Sequence, residues 1–344
     1  MCSKINWEYR FLPVLLFFLC HCNSTVPQLV VINGNTMGTT YTIKIVTQSP
    51  ADEQVLHQGI QAVVDRINNA MSNWIPNSDV SKFGSLNPGS FLQVSKDTQN
   101  VLELAIEIAR KTDGAFDPTV SPLIELWGFG TKERDHFPTD AEIEQLLAKT
   151  GYQKLIFQDG KTAKTHAGLQ LNLGAIAKGY ALDQVALFLD ASGYQNYLID
   201  IGRELRANGT NLKEEPWRVA IENPDPEVDS PILRVVSLKN KSIATSGDYR
   251  QFFEYQGNQY SHILDPRTGR PIPPNITLAS VVAKDCANAD GWATALMVLP
   301  VDKGIALVEA EPELECLLVQ RQENGIFSIH MSSGFEDLLL ENFN

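Results

Sequence analysis

Apolar positions recur with two different spacings along the chain, and together they predict a mixture of helices and strands. Spacings of three and four residues, typical of one buried helix face, occur over 56–71, 101–109, 287–299 and 301–309. Short apolar or alternating runs predict strands over the following segments: 40–46, 154–157, 169–173, 197–201, 217–221, 232–238, 251–255, 276–283, 315–320 and 325–330. Since no repeat or low-complexity tract separates these elements, the pattern predicts an α+β fold built as one intertwined unit.

Local signals mark where some of these elements begin and end. Ser95 is a typical N-cap residue for the helix that includes 101–109, and Asp113-Gly114 is a typical stop. Thr139 and Glu142 have the spacing of a capping box and predict a further helix. The polar, proline-rich stretch 222–231 predicts a surface loop and not a linker between domains.

The first residues have the organisation of an export signal. Lys4 and Arg10 are basic, and the apolar run that follows, 11–20, is about ten residues long, whereas a membrane span needs roughly 20. A short buried helix is the alternative, but such a helix would include polar positions. We therefore expect a signal peptide over 1–22 and one domain over 23–344.

Two cysteines at the end of this signal raise the question of a lipid anchor. Cys20 and Cys22 are preceded by Leu19 and His21, where a lipoprotein signal prefers a small side chain. Lipidation of Cys20 or Cys22 therefore stays open. Export together with a lipid anchor would place the protein in the periplasm, attached to the inner membrane.

Composition narrows the possible partners. Hydrophobic residues make up 43% and charged residues 20% of the chain, which fits neither a disordered chain nor a multi-pass membrane protein. The 28 Lys and Arg against 41 Asp and Glu give a net charge of −13, or −14 once the net +1 of 1–22 is removed. Such a chain would be repelled by nucleic acid.

Cys286 and Cys316 lack zinc-site spacing and are expected to be buried thiols, with a disulfide as the alternative.

A turn between a predicted strand and a predicted helix is the first candidate for chemistry. The strand 169–173 is expected to run through Gly174 into a helix that ends at Gly193. Such a turn presents backbone N–H groups and the positive end of a helix, which suit a phosphate, and Lys178 would add a full charge. The segment lacks Walker A spacing, and most turns of this kind bind nothing.

Three further groups of residues carry weaker signals. Asp290 and Thr294 are four apart in a predicted helix, so their oxygens share a face and suit Mg²⁺, although a back-bonded Thr and a solvated Asp would show the same spacing. His262 and Asp265 precede a Pro/Gly-rich turn and could move a proton or be structural. Asp117, in a loop after a helix, could bind a ligand.

Seven segments follow one another in the order known from one family: 36–39, 71–74, 114–117, 174–180, 243–250, 262–271 and 289–299. On these motifs the chain resembles, over about 33–340, the ApbE family of bacterial FAD:protein FMN transferases, which are usually exported and often lipid-anchored. Seven ordered motifs are far more specific than any one of them. The resemblance implies an α+β unit of the ApbE-like type.

The resemblance also implies a reaction. FAD would be cleaved at its pyrophosphate in the presence of Mg²⁺, AMP would be released, and FMN would remain as a phosphoester on a Thr or Ser hydroxyl of another protein. Family acceptors are flavoprotein subunits of membrane redox complexes, such as the Na⁺-translocating NADH:quinone oxidoreductase and Rnf-type complexes.

Site residues follow from the matching motif positions. FAD contacts would be Met37, Trp74, Ala115, Phe116, Asp117, Asn172, Lys178 and Leu264. Mg²⁺ would be held by the carbonyls of Ala175 and Ala293, the carboxylate of Asp290 and the hydroxyl of Thr294. Since phosphoryl transfer is mostly positioning and charge neutralisation, the remaining requirement is a proton acceptor for the hydroxyl. Our candidate is His262, with Asp265 orienting it; structural roles for both are the alternative.

Two positions depart from the family pattern, and two other functions stay open. Arg203 stands where the family commonly has Gly, so it would be strained if that position needs a positive φ. Asn172 stands where Asp is usual, which removes a negative charge beside the expected phosphates.

The same metal site would also serve hydrolysis of FAD to FMN and AMP, and an exported flavin-binding lipoprotein without turnover is the third possibility.

Overall fold

The computed structural model describes residues 26–132, 134–158, 160–225, 228, 230–248, 252–322 and 324–340. The expected signal peptide lies outside the described residues, and so do Cys20 and Cys22. Within the described part, no helix combines the length and the apolar character that a membrane crossing requires.

Eight α-helices lie in the described part of the chain: α1 (Glu53–Met71), α2 (Asp79–Gly84), α3 (Lys96–Lys111), α4 (Ser121–Leu126), α5 (Asp140–Leu147), α6 (Ala177–Ala191), α7 (Cys286–Val298) and α8 (Val301–Glu309). Local sequence explains their ends. The Ser95 side chain caps α3 by accepting from the backbone N–H of Thr98, and Thr139 and Glu142 form the expected capping box of α5.

Eight antiparallel strands form the main sheet, in the order β1-β2-β6-β7-β10-β15-β16-β17. Their bounds are β1 (Gln28–Thr36), β2 (Thr39–Thr47), β6 (Tyr197–Ile201), β7 (Glu204–Asn208), β10 (Lys241–Gly247), β15 (Ile276–Ala283), β16 (Glu315–Arg321) and β17 (Phe327–Met331). Nine further strands form smaller sheets: β3 (Leu92–Gln93), β4 (Leu155–Gln158), β5 (Lys161–Lys164), β8 (Trp217–Glu222), β9 (Ile232–Leu238), β11 (Phe252–Tyr255), β12 (Asn258–Ser261), β13 (Leu264–Asp265) and β14 (Arg270–Pro271).

Both faces of the main sheet are covered, which gives the fold three layers. Helices α1, α6 and α7 pack on one face, and the β8–β9 hairpin packs on the other. All eight residues of β15 are therefore buried: Ala279 and Val281 face the helices, whereas Leu278 and Val282 face the hairpin. This double burial removes apolar side chains on both faces of the central strands from water, and each Å² of apolar surface buried stabilises the fold by about 25 cal/mol.

The predicted mixture of helices and strands is confirmed, but the strand expected over 169–173 is wrong. Only Gln170 makes a β-bridge, with Val120, and the segment runs as an extended connection through the core. Its alternating leucines are buried all the same, because they belong to the hydrophobic core that also contains the apolar residues of α3 and α7. As expected, the chain runs through Gly174 into a helix: Gly174 lies in the turn before α6, which begins at Ala177.

Several strands were missed, and one lies partly outside the described residues. Strands β7, β10 and β12 have polar residues at more than half of their positions, and β1 has them at four of nine, so their apolar patterns are weak. Of the strand expected over 251–255, Gln251 is not described and β11 begins at Phe252. The described residues of 222–231 after Glu222 form neither helix nor strand. Cys286 and Cys316 are free and buried, as predicted.

Candidate functional site

A cavity of about 420 Å³ lies where the loops of several elements meet beside α6 and α7. Four connections contribute its walls: the loop before α4, the turn before α6, the turn between β6 and β7, and the segment between β12 and β14. The end of β10 and the buried face of α7 close it. Its polar lining includes Asp117, Asn172, Lys178, Glu204, Thr245, Ser246, His262, Asp290 and Thr294.

A groove of about 490 Å³ continues from this cavity, and the two share Phe129, Asn172, Gly174 and Lys178. Met37 and Trp74 line only the groove. Together the cavity and the groove form an extended depression with room for a ligand larger than either part.

Met37 and Trp74, which line the groove, are unusual in backbone conformation and in exposure, respectively. Met37 and Gly38 form the two-residue turn between β1 and β2, and both have positive φ, 49° and 73°. A methionine is strained in the left-handed conformation. Asn and Gly adopt it most easily and are the residues preferred in two-residue turns of this type. Trp74 is 70% exposed, so its ring presents an apolar surface to the groove.

The structure brings most of the predicted site residues together. The cavity is lined by Ala115, Phe116, Asp117, Asn172, Ala175, Lys178, His262, Leu264, Asp290 and Thr294, and the groove by Met37, Trp74, Asn172 and Lys178. Two predicted residues line neither. Asp265 holds Arg267 through two 2.8 Å contacts in its own turn, and Ala293 is fully buried inside α7.

A cluster of three charged side chains lies at the centre of the cavity. Lys178 Nζ is 2.5 Å from Glu204 Oε1 and 3.8 Å from Asp290 Oδ1. Lys178 comes from the first turn of α6, Glu204 from β7 and Asp290 from α7. With all three groups ionised, the cluster carries a net charge of −1. The sequence analysis did not predict Glu204 as a site residue. Its only sequence signal is its position two residues after Gly202.

Burial and mutual attraction set the protonation of this cluster. Burial lowers the pKa of Lys178, but the carboxylates of Asp290 and Glu204 outweigh this effect and leave the pKa raised. Burial raises the pKa of Glu204 to about 7 against the opposing effect of Lys178. Burial likewise raises the pKa of Asp290, while Lys178 and the backbone N–H of Gly179 lower it. Lys178 is therefore the permanent cation of the cavity.

Close contact between α6 and α7 fixes Asp290. The backbone N–H of Gly179 donates to Asp290 Oδ2 at 3.1 Å, and Asp290 is 3% exposed. A Cβ on Gly179 would lie 2.3 Å from the carbonyl oxygen of Cys286, so only glycine allows this approach. One turn along α7, the Thr294 hydroxyl is 3.4 Å from that of Ser246. The expectation that Asp290 and Thr294 face one site is met.

The Asp183 carboxylate, on α6, anchors the start of α7. It accepts the backbone N–H groups of Cys286 and Ala287, both at 2.9 Å, and pairs with Arg206 at 2.6 Å. Burial raises its pKa to about 6, against the opposing effects of Arg206 and the two N–H groups. The orientation of α7, and with it that of Asp290, therefore depends on a neighbouring helix.

Asp117 organises the loop that forms one wall of the cavity. Its Oδ1 accepts from the backbone N–H and the hydroxyl of Thr119, at 2.7 and 2.6 Å, and its Oδ2 accepts from the N–H of Tyr152 at 2.9 Å. Burial raises its pKa, while these hydrogen bonds lower it. The carboxylate is 8% exposed, so it already serves three donors of the protein.

The two departures from the family pattern have different structural settings. Asn172 Oδ1 accepts the N–H of Gly174 at 2.9 Å, a bond that a carboxylate could also make. Arg203 has φ 81° in the turn between β6 and β7, so the position does require a left-handed backbone that strains arginine. Its side chain pairs with Glu222 outside the cavity.

His262 enters the cavity from the segment between β12 and β13. Its ring stands edge-on to that of Phe129, with the ring centres 6.3 Å apart. Phe129 was not predicted, although it lies at the junction of the cavity and the groove. In the sequence Phe129 lies between two glycines and two residues after Trp127, and none of these residues has a side chain that suggests catalysis or metal binding.

The oxygen donors of the cavity fit a hard cation. Within the described part of the chain, no group of three or more His, Cys, Asp or Glu side chains could hold a metal ion. Mg²⁺ does not require one, since it usually keeps several waters and binds one or two carboxylates together with substrate phosphates. The buried carboxylate of Asp290 and the hydroxyl of Thr294, on one face of α7, are a suitable pair of protein donors.

Comparison with known proteins identifies the family of this chain. The model of the ApbE family matches residues 37–318. A FAD:protein FMN transferase from Vibrio cholerae is 38% identical over 336 residues, covering 97% of this chain and 99% of that protein. One from Escherichia coli K12 is 33% identical, covering 92% and 91% of the two chains.

Solved structures show the same fold. The flavin transferase ApbE from Vibrio cholerae has a TM-score of 0.85 and 38% identity, covering 91% of this chain and 100% of that one. The apo form of the Pseudomonas stutzeri flavinyl transferase ApbE has a TM-score of 0.82 and 36% identity, covering 91% and 97%. By family match, by similarity along nearly its whole length and by fold, this chain belongs to the ApbE family.

Proposed function

We propose that this protein transfers FMN from FAD to a Thr or Ser hydroxyl of an acceptor protein, in a Mg²⁺-dependent reaction that releases AMP. The relatives named FAD:protein FMN transferase support flavin transfer. The metal, the acceptor hydroxyl and the release of AMP are inferred from the chemistry of the cavity and from the family resemblance.

The charge of the cavity is the observation that carries this proposal. When ionised, Lys178, Glu204 and Asp290 carry one positive and two negative charges, and the pyrophosphate of FAD would bring about two more negative charges. We therefore expect a nucleotide to bind there together with a further cation. The oxygens of Asp290 and Thr294 provide the protein part of a site for one.

Asp290 and Thr294 would hold Mg²⁺, with the backbone carbonyl of Ala175 at the cavity wall and that of Ala293 on α7 as the further expected ligands. Asp290 is held for this role by the N–H of Gly179. When bound, Mg²⁺ supplies charge neutralisation at the phosphates. Because α7 is anchored through Asp183, these donors are positioned before substrate binds.

The remaining side chains of the depression divide the other tasks. Lys178 offers a permanent positive charge to a phosphate oxygen. His262, in the cavity wall, accepts the proton of the incoming hydroxyl. Phe116 and the exposed ring of Trp74 provide apolar surfaces for the ring systems of FAD.

The acceptor and the location belong to the same proposal. The charged cluster has no space for a folded protein, so an acceptor would have to present its hydroxyl on a protruding segment. Flavoprotein subunits of membrane redox complexes, of the Na⁺-translocating NADH:quinone oxidoreductase or Rnf type, are the acceptor class that the family resemblance suggests. An exported enzyme, attached to the periplasmic side of the inner membrane by a lipid on Cys20 or Cys22, would meet them there.

The test is incubation with FAD, Mg²⁺ and a candidate acceptor subunit, followed by a denaturing gel viewed under ultraviolet light. Transfer gives a fluorescent acceptor band that needs Mg²⁺ and disappears with a chelator. Free FMN and AMP without a band would show hydrolysis instead, and unchanged FAD would show binding without turnover.

A substitution in the same assay tests the metal site. Asp290→Asn keeps the shape of the side chain and an acceptor for the N–H of Gly179 but removes the charge. We expect the labelling rate to fall by roughly a hundredfold or more, as for loss of a group that stabilises charge in the transition state. Asp302→Asn, at an exposed position of α8, is the matched control and should label at the normal rate. Normal labelling by Asp290→Asn would show that Asp290 does not hold the metal.

A further inference from the structure

Glu204 is a buried carboxylate at the centre of the cavity with no assigned role. It is 4% exposed, and its Oε1 accepts a hydrogen bond from Lys178 Nζ at 2.5 Å. Its Oε2 is buried and has no hydrogen-bond partner among the described residues. A buried carboxylate oxygen without a donor is costly to the fold, and such groups are often kept because the site uses them.

Gly202, in the turn before β7, lies close to this oxygen and has no side chain to cover it. Gly202 has a positive φ of 62°, and a Cβ at this position would lie 3.3 Å from Glu204 Oε2 and 2.9 Å from Thr39 Cγ2. Both Gly202 and Glu204 line the cavity. The Glu204 carboxylate thus reaches Lys178 from β7 of the main sheet, whereas Asp290 reaches it from α7.

Glu204 and Asp290 compete for one ammonium group. Lys178 Nζ is 2.5 Å from Glu204 but 3.8 Å from the nearest oxygen of Asp290. In a poorly solvated cavity, an ammonium in direct contact with Asp290 would oppose the binding of a second cation to the same carboxylate. The observed geometry avoids this contact.

We propose that Glu204 is a positioning residue that holds the Lys178 ammonium away from Asp290, which leaves the Asp290 carboxylate free for a divalent cation and keeps the ammonium in the cavity for an anionic substrate. This inference rests on the proposed function, because it takes Asp290 as the metal ligand. Two other roles make different predictions: Glu204 could ligate the cation directly through Oε2, or its ion pair could serve only to join α6 to β7.

The test is binding of Mn²⁺ alone, without FAD, measured from the electron paramagnetic resonance signal of the free ion. The proteins are the wild type, Glu204→Gln, Lys178→Met and the double variant. With Lys178 present, Glu204→Gln lets the ammonium move to Asp290, and we expect Mn²⁺ to bind about tenfold more weakly. In the Lys178→Met background no ammonium can compete, and we expect Glu204→Gln to weaken binding less than about threefold.

The outcomes separate the three roles. An effect of Glu204→Gln that is as large or larger in the Lys178→Met background would assign Glu204 as a direct ligand and overturn the proposal. If Glu204→Gln changes Mn²⁺ binding neither with Lys178 present nor in the Lys178→Met background, the ion pair is purely structural, which would also overturn the proposal. Glu215→Gln, which removes the carboxylate partner of Arg218 at an exposed position, should bind Mn²⁺ as the wild type does.

Controls distinguish failure of this inference from failure of the proposed function. Asp290→Asn should abolish the Mn²⁺ binding seen in the wild type. If Asp290→Asn still binds Mn²⁺ normally, Asp290 is not the metal ligand, and the proposed role of Glu204 is then wrong as well. If Asp290→Asn abolishes binding and Glu204→Gln binds normally, the inference about Glu204 alone is wrong. Thermal unfolding of each variant verifies that it is folded, and the double variant contains no unpaired buried lysine.

Discussion

His262 and Asp265 are near neighbours in sequence but have different surroundings. His262 lines the cavity, whereas the Asp265 carboxylate binds the guanidinium and the backbone N–H of Arg267, which closes the turn after β13. The pairing raises the pKa of Arg267, chiefly through its hydrogen bonds to Asp265. At the scale of single residues, His262 therefore remains the proposed proton acceptor, whereas the contacts of Asp265 lie within its own loop.

Substitution of these two residues should separate their roles. We expect His262→Ala to lower the single-turnover rate of flavin transfer by roughly 10² to 10⁴, the usual contribution of a general base, while FAD binding changes little. Asp265→Asn should lower that rate less than about threefold. The rate is measured with saturating FAD, and binding by flavin fluorescence. A loss in Asp265→Asn comparable to that in His262→Ala would restore the hypothesis that Asp265 orients the histidine.

At the scale of elements, the site depends on how closely α6 approaches α7. Gly179 lies against the carbonyl of Cys286, so the helices meet backbone to backbone, and the N–H of Gly179 can reach Asp290. A larger side chain would push the helices apart. The helix pair thus couples the packing of the core to the position of the expected metal ligand.

Gly179→Ala tests this coupling. The added methyl would overlap a backbone atom that cannot rotate away, and overpacking of this kind costs about 1–3 kcal/mol. We expect the free energy of unfolding, measured in urea, to fall by that amount. Gly84→Ala, at the end of α2, is the control, because its nearest neighbour would be 3.8 Å away and its backbone is not left-handed. Equal stability of the two variants would show that the helix contact can relax.

Elements whose signals are local could be predicted from the sequence, whereas those that depend on distant partners could not. Helices α1 and α3 have a single apolar face and side-chain caps, so their residues specify them. Strands β7 and β10 contain several polar residues and are stabilised by pairing with each other and with β6 and β15. The same limit applies to the site: the motifs identified Lys178 and Asp290, but Glu204 joins them only through the topology of the sheet.

At the scale of the whole molecule, the three layers place both cysteines of the domain out of reach of solvent. Cys286 begins α7 beneath the main sheet and Cys316 lies within β16, each fully buried. Burial raises the pKa of the Cys316 thiol to about 12 and that of Cys286 well above its usual range. Neither forms a reactive thiolate near neutral pH.

Thiol titration checks this packing. In a chain without residues 1–22, which contain the other three cysteines, we expect no reaction with a disulfide reagent at pH 8 in the native state. Both thiols should react once the protein is unfolded in guanidinium chloride. Rapid labelling of one thiol in the native state would mean that the layer over it opens readily, and the other thiol serves as the internal control.

The exposure of Trp74 has an optical consequence. Among the described residues, Trp127, Trp217 and Trp292 are buried, and Trp74 alone is open to solvent, in the groove that adjoins the cavity. A dissolved quencher can therefore reach this indole but not the other three. An aromatic ligand that settles in the groove would shield the ring or accept its excitation energy. The protein thus carries a built-in fluorescent reporter of whether the groove is filled, and no added label is needed to follow it.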